Sequence, residues 1–140
     1  MIRQARTRGF SLMEMLLVVA IIGIVSGIAI PSYLGQRRRA RVIGDAMSNA
    51  RVLSMALESR KADVGVYGVD GTYDWKADAS ATTGPALLPT FQPSGNSKMN
   101  YRVVITNGLT YTLTVFDPSI SASTVAYQTN QYGAELARLH

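Results

Sequence analysis

Few residues in this chain have the type and spacing to do chemistry, and what they offer is charge pairing more than bond making. From Phe10 to Gln36 the only charged side chain is Glu14. An ionisable group inside an apolar helix is costly and needs a partner, unless it sits at the membrane edge and stays solvated. Asp70, Asp74 and Asp78 recur every four residues; their spacing differs from that of hard-ion loops, which also supply a Glu ligand, so a solvated loop is expected and no metal site. Cysteine is absent, which excludes disulfides, thiolate metal sites and a thiol nucleophile. The single histidine is His140, a terminal position seldom held rigidly enough for catalysis. No nucleophile–base grouping is present, so an enzyme is not expected, nor is a cofactor. Tyr33, Tyr67, Tyr73 and Trp75 are too sparse to read as an aromatic stack.

The element that must position Glu14 is a single apolar helix. Phe10 to Ile30 is long enough to cross a bilayer, which takes about 20 apolar residues. A membrane-crossing segment satisfies its own backbone hydrogen bonds and is therefore helical. This excludes a plain cytosolic globular domain, and with no second such run it excludes a polytopic membrane protein. Arg3, Arg6 and Arg8 precede the run with no acid among them, a targeting pattern. An ordinary secretory signal would have a shorter apolar region, and a cut after Gly27-Ile28-Ala29 would leave Pro31 second in the product. Gly23 and Gly27 form a small-residue face that permits close helix approach. Pro31 removes a backbone donor and is expected to kink or loosen the preceding turn, which the two glycines make easier. Arg37, Arg38, Arg39 and Arg41 follow as an interfacial anchor. Basic residues thus flank the span on both sides, and their count does not set its orientation.

The run Arg8-Gly9-Phe10-Ser11-Leu12-Met13-Glu14-Met15-Leu16-Leu17-Val18-Val19, continued through Ala20 to Val25 and Ala29-Ile30-Pro31-Ser32-Tyr33, resembles the class III signal of type IV pilins and pseudopilins. The resemblance covers roughly residues 8–60. It implies that a prepilin peptidase cuts between Gly9 and Phe10 and that the new amine of Phe10 is methylated. It also implies an N-terminus on the cytoplasmic side. Removing the leader takes three arginines from a formal charge of +5, so the basic pI is no argument for nucleic-acid binding. After such a cut, Glu14 and the amine of Phe10 could neutralise each other, within one chain or between neighbours; the alternative is a Glu14 solvated at the membrane edge.

Beyond the span, Ile43, Ala46, Met47, Ala50, Leu53 and Leu57 fall at helical spacing and form a narrow apolar stripe, with Arg60-Lys61 and Gly65 as the stop. Residues 63–98, rich in glycine, proline and small polar side chains, read as a connecting loop. Strands are expected at Met99–Ile105 and Leu109–Phe116. A three-residue loop, Thr106-Asn107-Gly108, would pair Ile105 with Leu109, Val103 with Tyr111 and Tyr101 with Leu113, leaving one face wholly apolar, with Gly108 left-handed. Ser123–Thr129 is a third strand with Val125 and Tyr127 inward, and Ala134–Leu139 is a helical turn or a short strand. The fold class is α+β: a long hydrophobic-then-amphipathic N-terminal helix packed on a small antiparallel sheet. The chain divides into a leader at 1–9, a membrane or filament-core half of the helix at 10–36, an amphipathic half at 37–62, the loop at 63–98, and the sheet and tail at 99–140.

The resemblance implies a structural subunit of a type IV pilus-type filament. Its partners would be further copies or related subunits in a helical polymer, the prepilin peptidase, the inner-membrane assembly machinery, and the membrane before assembly. It would be a single-pass inner-membrane protein first, then part of an extracellular pilus or a periplasm-spanning pseudopilus. A pseudopilin of a type II secretion system shares the whole N-terminal signature. Weaker readings are a membrane-anchored DNA-uptake subunit or an envelope enzyme; past Lys61 only Lys76, Lys98, Arg102 and Arg138 are basic, too few to favour nucleic acid.

Overall fold

A computed structural model describes residues 9–78, 82–92, 99–121 and 123–139. The expected leader at 1–9, apart from Gly9, lies outside the described residues, as does His140. The chain forms two compact units, Met1–Arg38 and Arg39–His140.

Helix α1 spans Leu12–Val64. Its residues in the first unit are apolar on every side and, apart from the partly covered Ser26, exposed, and the helix is long and apolar enough to cross a membrane. Gly23, Gly27 and Pro31 all lie inside it, and the helical assignment is unbroken through Pro31. A Cβ added at Gly23 or Gly27 would meet nothing within 4 Å, so the small-residue face is open.

In the second unit α1 is amphipathic, with Ala46, Asn49, Ala50, Leu53 and Leu57 buried. The expected stripe is therefore right at its centre, while Ile43 and Met47 are only partly buried. Asn49 joins the buried face because its Nδ2 donates to the Asp45 carbonyl at 3.1 Å, satisfying a polar group that would otherwise oppose burial. The helix ends on Gly65, whose φ of 86° is the left-handed cap and whose N–H donates to the Lys61 carbonyl at 2.7 Å.

Five antiparallel strands follow in a sheet whose spatial order is the chain order: β1 (Gly71–Trp75), β2 (Asn100–Thr106), β3 (Thr110–Phe116), β4 (Val125–Asn130) and β5 (Glu135–Arg138). Along β2, Tyr101, Val103 and Ile105 are buried while Arg102, Val104 and Thr106 are exposed, the alternation of a sheet with one face covered. Those inward residues share one buried cluster with the helix stripe and with Tyr111, Leu113 and Val115 of β3. The α+β architecture is as expected.

Three details differ. The loop between β2 and β3 is Asn107-Gly108-Leu109, closed by Thr106 opposite Thr110, so Ile105 pairs with Tyr111, Val103 with Leu113 and Tyr101 with Val115. A slip of two residues keeps every side chain on its face, and for that reason the apolar pattern alone could not choose between the registers. Leu109 is consequently an exposed loop residue and no partner of Ile105. Second, the segment 63–98 is no mere connection. It supplies β1 at the sheet edge, a 3-10 turn at Gly84–Ala86, and the buried side chains of Tyr67, Trp75, Leu87, Leu88 and Phe91. Gly84 lies directly on the Trp75 indole, where a Cβ would collide with the ring. Third, β4 begins at Val125, and a bulge beside Phe116 buries Ala126 and Tyr127 while Val125 is only partly covered. The tail forms β5, a strand.

The register can be checked by two substitutions. Leu109→Ser is expected to change stability by less than about 0.5 kcal/mol, as surface changes do, because the side chain is in water. Gly108, with φ of 66°, should tolerate no β-branched residue, and Gly108→Val should cost about 1 kcal/mol or more. Chemical denaturation of both variants measures this, and a large loss in Leu109→Ser would restore the other register.

Candidate processing and assembly site

Gly9 and Phe10 are exposed and lie just before the helix. Ser11 occupies the N-cap position and Glu14 the third helical position. The Ser11 N–H donates to Glu14 Oε2 at 3.2 Å, and the Glu14 N–H donates to Ser11 Oγ at 3.2 Å. This reciprocal pair is a capping box, satisfying two backbone donors that the first turn leaves open. A carboxylate there also faces the positive end of the helix dipole. The sequence carries the sign of this cap, Ser11-x-x-Glu14 before an apolar run. The helix begins at Leu12, so Phe10 precedes it, and Glu14 reaches back to Ser11, the residue immediately after Phe10.

Gly9, Phe10, Ser11 and Glu14 thus fall within one short stretch, while Gly23, Gly27 and Pro31 lie farther along the same helix. The arrangement presents an accessible non-helical Gly–Phe peptide followed at once by a fixed helix start.

The comparisons with known proteins bear on this stretch. Residues 4–30 match the model of the prokaryotic N-terminal methylation motif. By its N-terminal segment the chain is similar to type IV pilins. Over 54 residues, 39% of the chain, it is 43% identical to the type IV major pilin protein PilA of Myxococcus xanthus, of which the match covers 24%. Over 52 residues, 37% of the chain, it is 46% identical to a fimbrial protein of Pseudomonas aeruginosa, of which the match covers 33%. The matches therefore span a quarter to a third of these pilins' own length. No solved structure matches.

The remaining polar groupings lie in the second unit and are engaged in holding it. Asp74 accepts from Arg102 Nε at 2.8 Å, and this hydrogen bond raises the guanidinium pKa further above its usual value. The pair borders an open polar cavity of about 430 Å³ lined also by Lys76, Asp78, Asn100, Phe116 and Ser123. Asp70 accepts the Gly108 N–H at 2.8 Å. Asp70 and Asp74 are thus spent on different partners, and among the described residues no group of three His, Cys, Asp or Glu is placed to hold a metal ion.

Tyr67 closes the junction between α1 and the sheet. Its hydroxyl donates to Glu58 Oε1 at 2.7 Å and accepts from Lys61 Nζ at 3.4 Å, and its ring meets Tyr111 edge-on at 4.8 Å. Burial first, then the hydrogen bond to the Glu58 carboxylate, pushes the Tyr67 hydroxyl far above the ordinary tyrosine value of 10.0. The folded state therefore keeps this proton when the unfolded chain has lost it. Stability from Tyr67 is complete below about pH 10 and declines as pH rises beyond it, because the unfolded state then binds fewer protons. Burial raises the Tyr111 hydroxyl in the same direction. Tyr67→Phe should lower stability at neutral pH by about 1 kcal/mol, the net worth of a hydrogen bond, and should flatten, without abolishing, the fall above pH 10. Urea unfolding across that pH range measures both.

Proposed function

We propose that this chain is a subunit of a type IV pilus-type filament, held in the inner membrane by the first half of α1 until it is assembled. The observation that carries the reading is the pairing of an exposed Gly9–Phe10 junction and capped helix start with an apolar helical half that its own chain leaves bare. At roughly 25 cal/mol per Å² of apolar area, such a surface strongly favours lipid or neighbouring helices over water. The similarity to a major pilin and to fimbrial proteins favours a pilus over a pseudopilus in this reading. In this reading prepilin peptidase cuts after Gly9, Phe10 carries the methylated amine, Glu14 takes part in assembly, and Gly23, Gly27 and Pro31 let the helix pack and flex. The N-terminus lies on the cytoplasmic side.

Processing is tested by the intact mass of the protein recovered from membranes and filaments. The expected product starts at methylated Phe10. A product starting at Ile30, or one retaining Met1 in assembled material, overturns the assignment. Gly9→Val should leave an uncut, membrane-bound precursor.

Glu14 is proposed to pair with the amine of Phe10, most usefully that of an adjacent subunit, since a buried charge without a partner is expensive and a docked pair is directional. The capping box makes two substitutions separable. Glu14→Gln preserves the cap, which Gln also forms, and removes the charge; Glu14→Val removes both. Both should insert and be cut at Gly9, and both should give little filament, measured as sheared-filament yield against the membrane pool of mature subunit. Normal yield from the Gln variant alone would assign Glu14 to the cap, and normal yield from both would leave it a solvated residue.

A further inference from the structure

We propose that the Asn107–Gly108 peptide is a deamidation site kept shut by Asp70, whose carboxylate holds the backbone N–H that would have to attack the Asn107 side chain. The reaction needs a freed Gly108 nitrogen. After hydroxide removes its proton, the nitrogen bonds to Cγ of Asn107, the Cγ–Nδ2 bond breaks, and the leaving group departs as ammonia with a proton from water. Water then opens the cyclic imide at either carbonyl, leaving an aspartate or an isoaspartate in place of Asn107. Only water and hydroxide are consumed.

The site has what this chemistry requires. Asn107 is exposed, and the following residue has no side chain to crowd the attacking nitrogen. Both residues hold positive φ, 55° and 66°, in a three-residue loop. It also carries a specific restraint. The Gly108 N–H donates to Asp70 Oδ1 at 2.8 Å, and the Gly108 carbonyl accepts the Tyr67 N–H at 2.8 Å. Gly108 is therefore clamped on both sides by the segment between α1 and β1, and a Cβ there would lie 3.3 Å from the Gly68 carbonyl. A carboxylate against an amide N–H opposes its ionisation, because a second negative charge beside the first is disfavoured. It also fixes the peptide plane that must turn toward Cγ. Once deamidation has happened, the new carboxylate at position 107 stands near Asp70 and the two repel, so the clamp does not reset. An isoaspartate adds a backbone atom to a loop already built on two left-handed residues. The hairpin tip thus has an intact and a spent form, and Asp70 is the positioning residue that sets the rate between them. This inference is independent of the filament reading.

The test uses the full chain. Wild type, Asp70→Ala and Asp70→Ser are incubated at mildly alkaline pH, and peptide mapping by mass spectrometry follows the conversion of the Asn107 amide to acid; Asn107→Gln serves as the unreactive control. Freed of a hydrogen bond to a charged group, the variants should deamidate roughly tenfold faster than wild type. A wild-type rate in either variant, shown to be folded by thermal unfolding, overturns the proposal. Should both variants unfold, amide hydrogen exchange on the wild type decides. Slow exchange at Gly108, at an otherwise exposed loop tip, supports the clamp, and exchange at the rate of an open peptide overturns it.

Discussion

Among the described residues, the first half of α1 is left almost wholly exposed. Every turn from Leu12 onward presents apolar side chains, and the structure leaves nearly all of them exposed. A soluble domain cannot carry that much bare apolar surface. The surroundings have to be lipid or other protein, and either environment demands that the backbone satisfy itself, which a helix alone in this chain does. The capped start at Ser11 and Glu14 follows from the same demand. The first-turn donors of a helix have no internal partner, and in an apolar setting they cannot rely on water.

The second half of the helix meets the opposite constraint and solves it internally. Its stripe of Ala46, Ala50, Leu53 and Leu57 is narrow and made largely of small residues at its N-terminal end, so the sheet must supply the bulk. Tyr101, Tyr111 and Tyr67 do so, with Trp75, Phe91 and Tyr101 in edge-to-face contact at one side. Such aromatic pairs add a specific geometry to the area they bury. The polar ends of the tyrosines then need partners, which explains the Glu58 carboxylate beside the Tyr67 hydroxyl.

Much of this was legible in the chain. The apolar run, the helical stripe, the Gly65 stop and the inward faces of β2 and β3 all follow from spacing that one principle governs at a time. What was not legible had two competing answers of equal local merit. The register around Asn107 and Gly108 was one, since a two-residue slip leaves the burial pattern untouched. The segment 63–98 was another. Its glycines and prolines read as loop, yet Gly84 is there to admit the Trp75 ring and Pro85 to start a short turn, and Tyr73 and Trp75 carry strand spacing for only five residues. The Ser11–Glu14 cap has a sequence sign, Ser-x-x-Glu, but in an apolar run the same acid also fits an ion pair, so spacing alone does not choose between the two.

The sheet order has a kinetic meaning. Each strand lies beside the one that precedes it in the chain, so no strand waits for a distant partner before it can pair. Local pairings of this kind close short loops and favour rapid folding. The three later strands, β3, β4 and β5, are joined by connections of eight residues or fewer and could zip up in sequence once β2 is laid down. The slow step would be the arrival of β1 and its anchoring residues Tyr67 and Trp75, which must cross the longest connection between strands to reach the edge of β2. The strand nearest the helix in the chain would thus be added last, and the helix stripe would be sealed last, where Tyr67 closes over it.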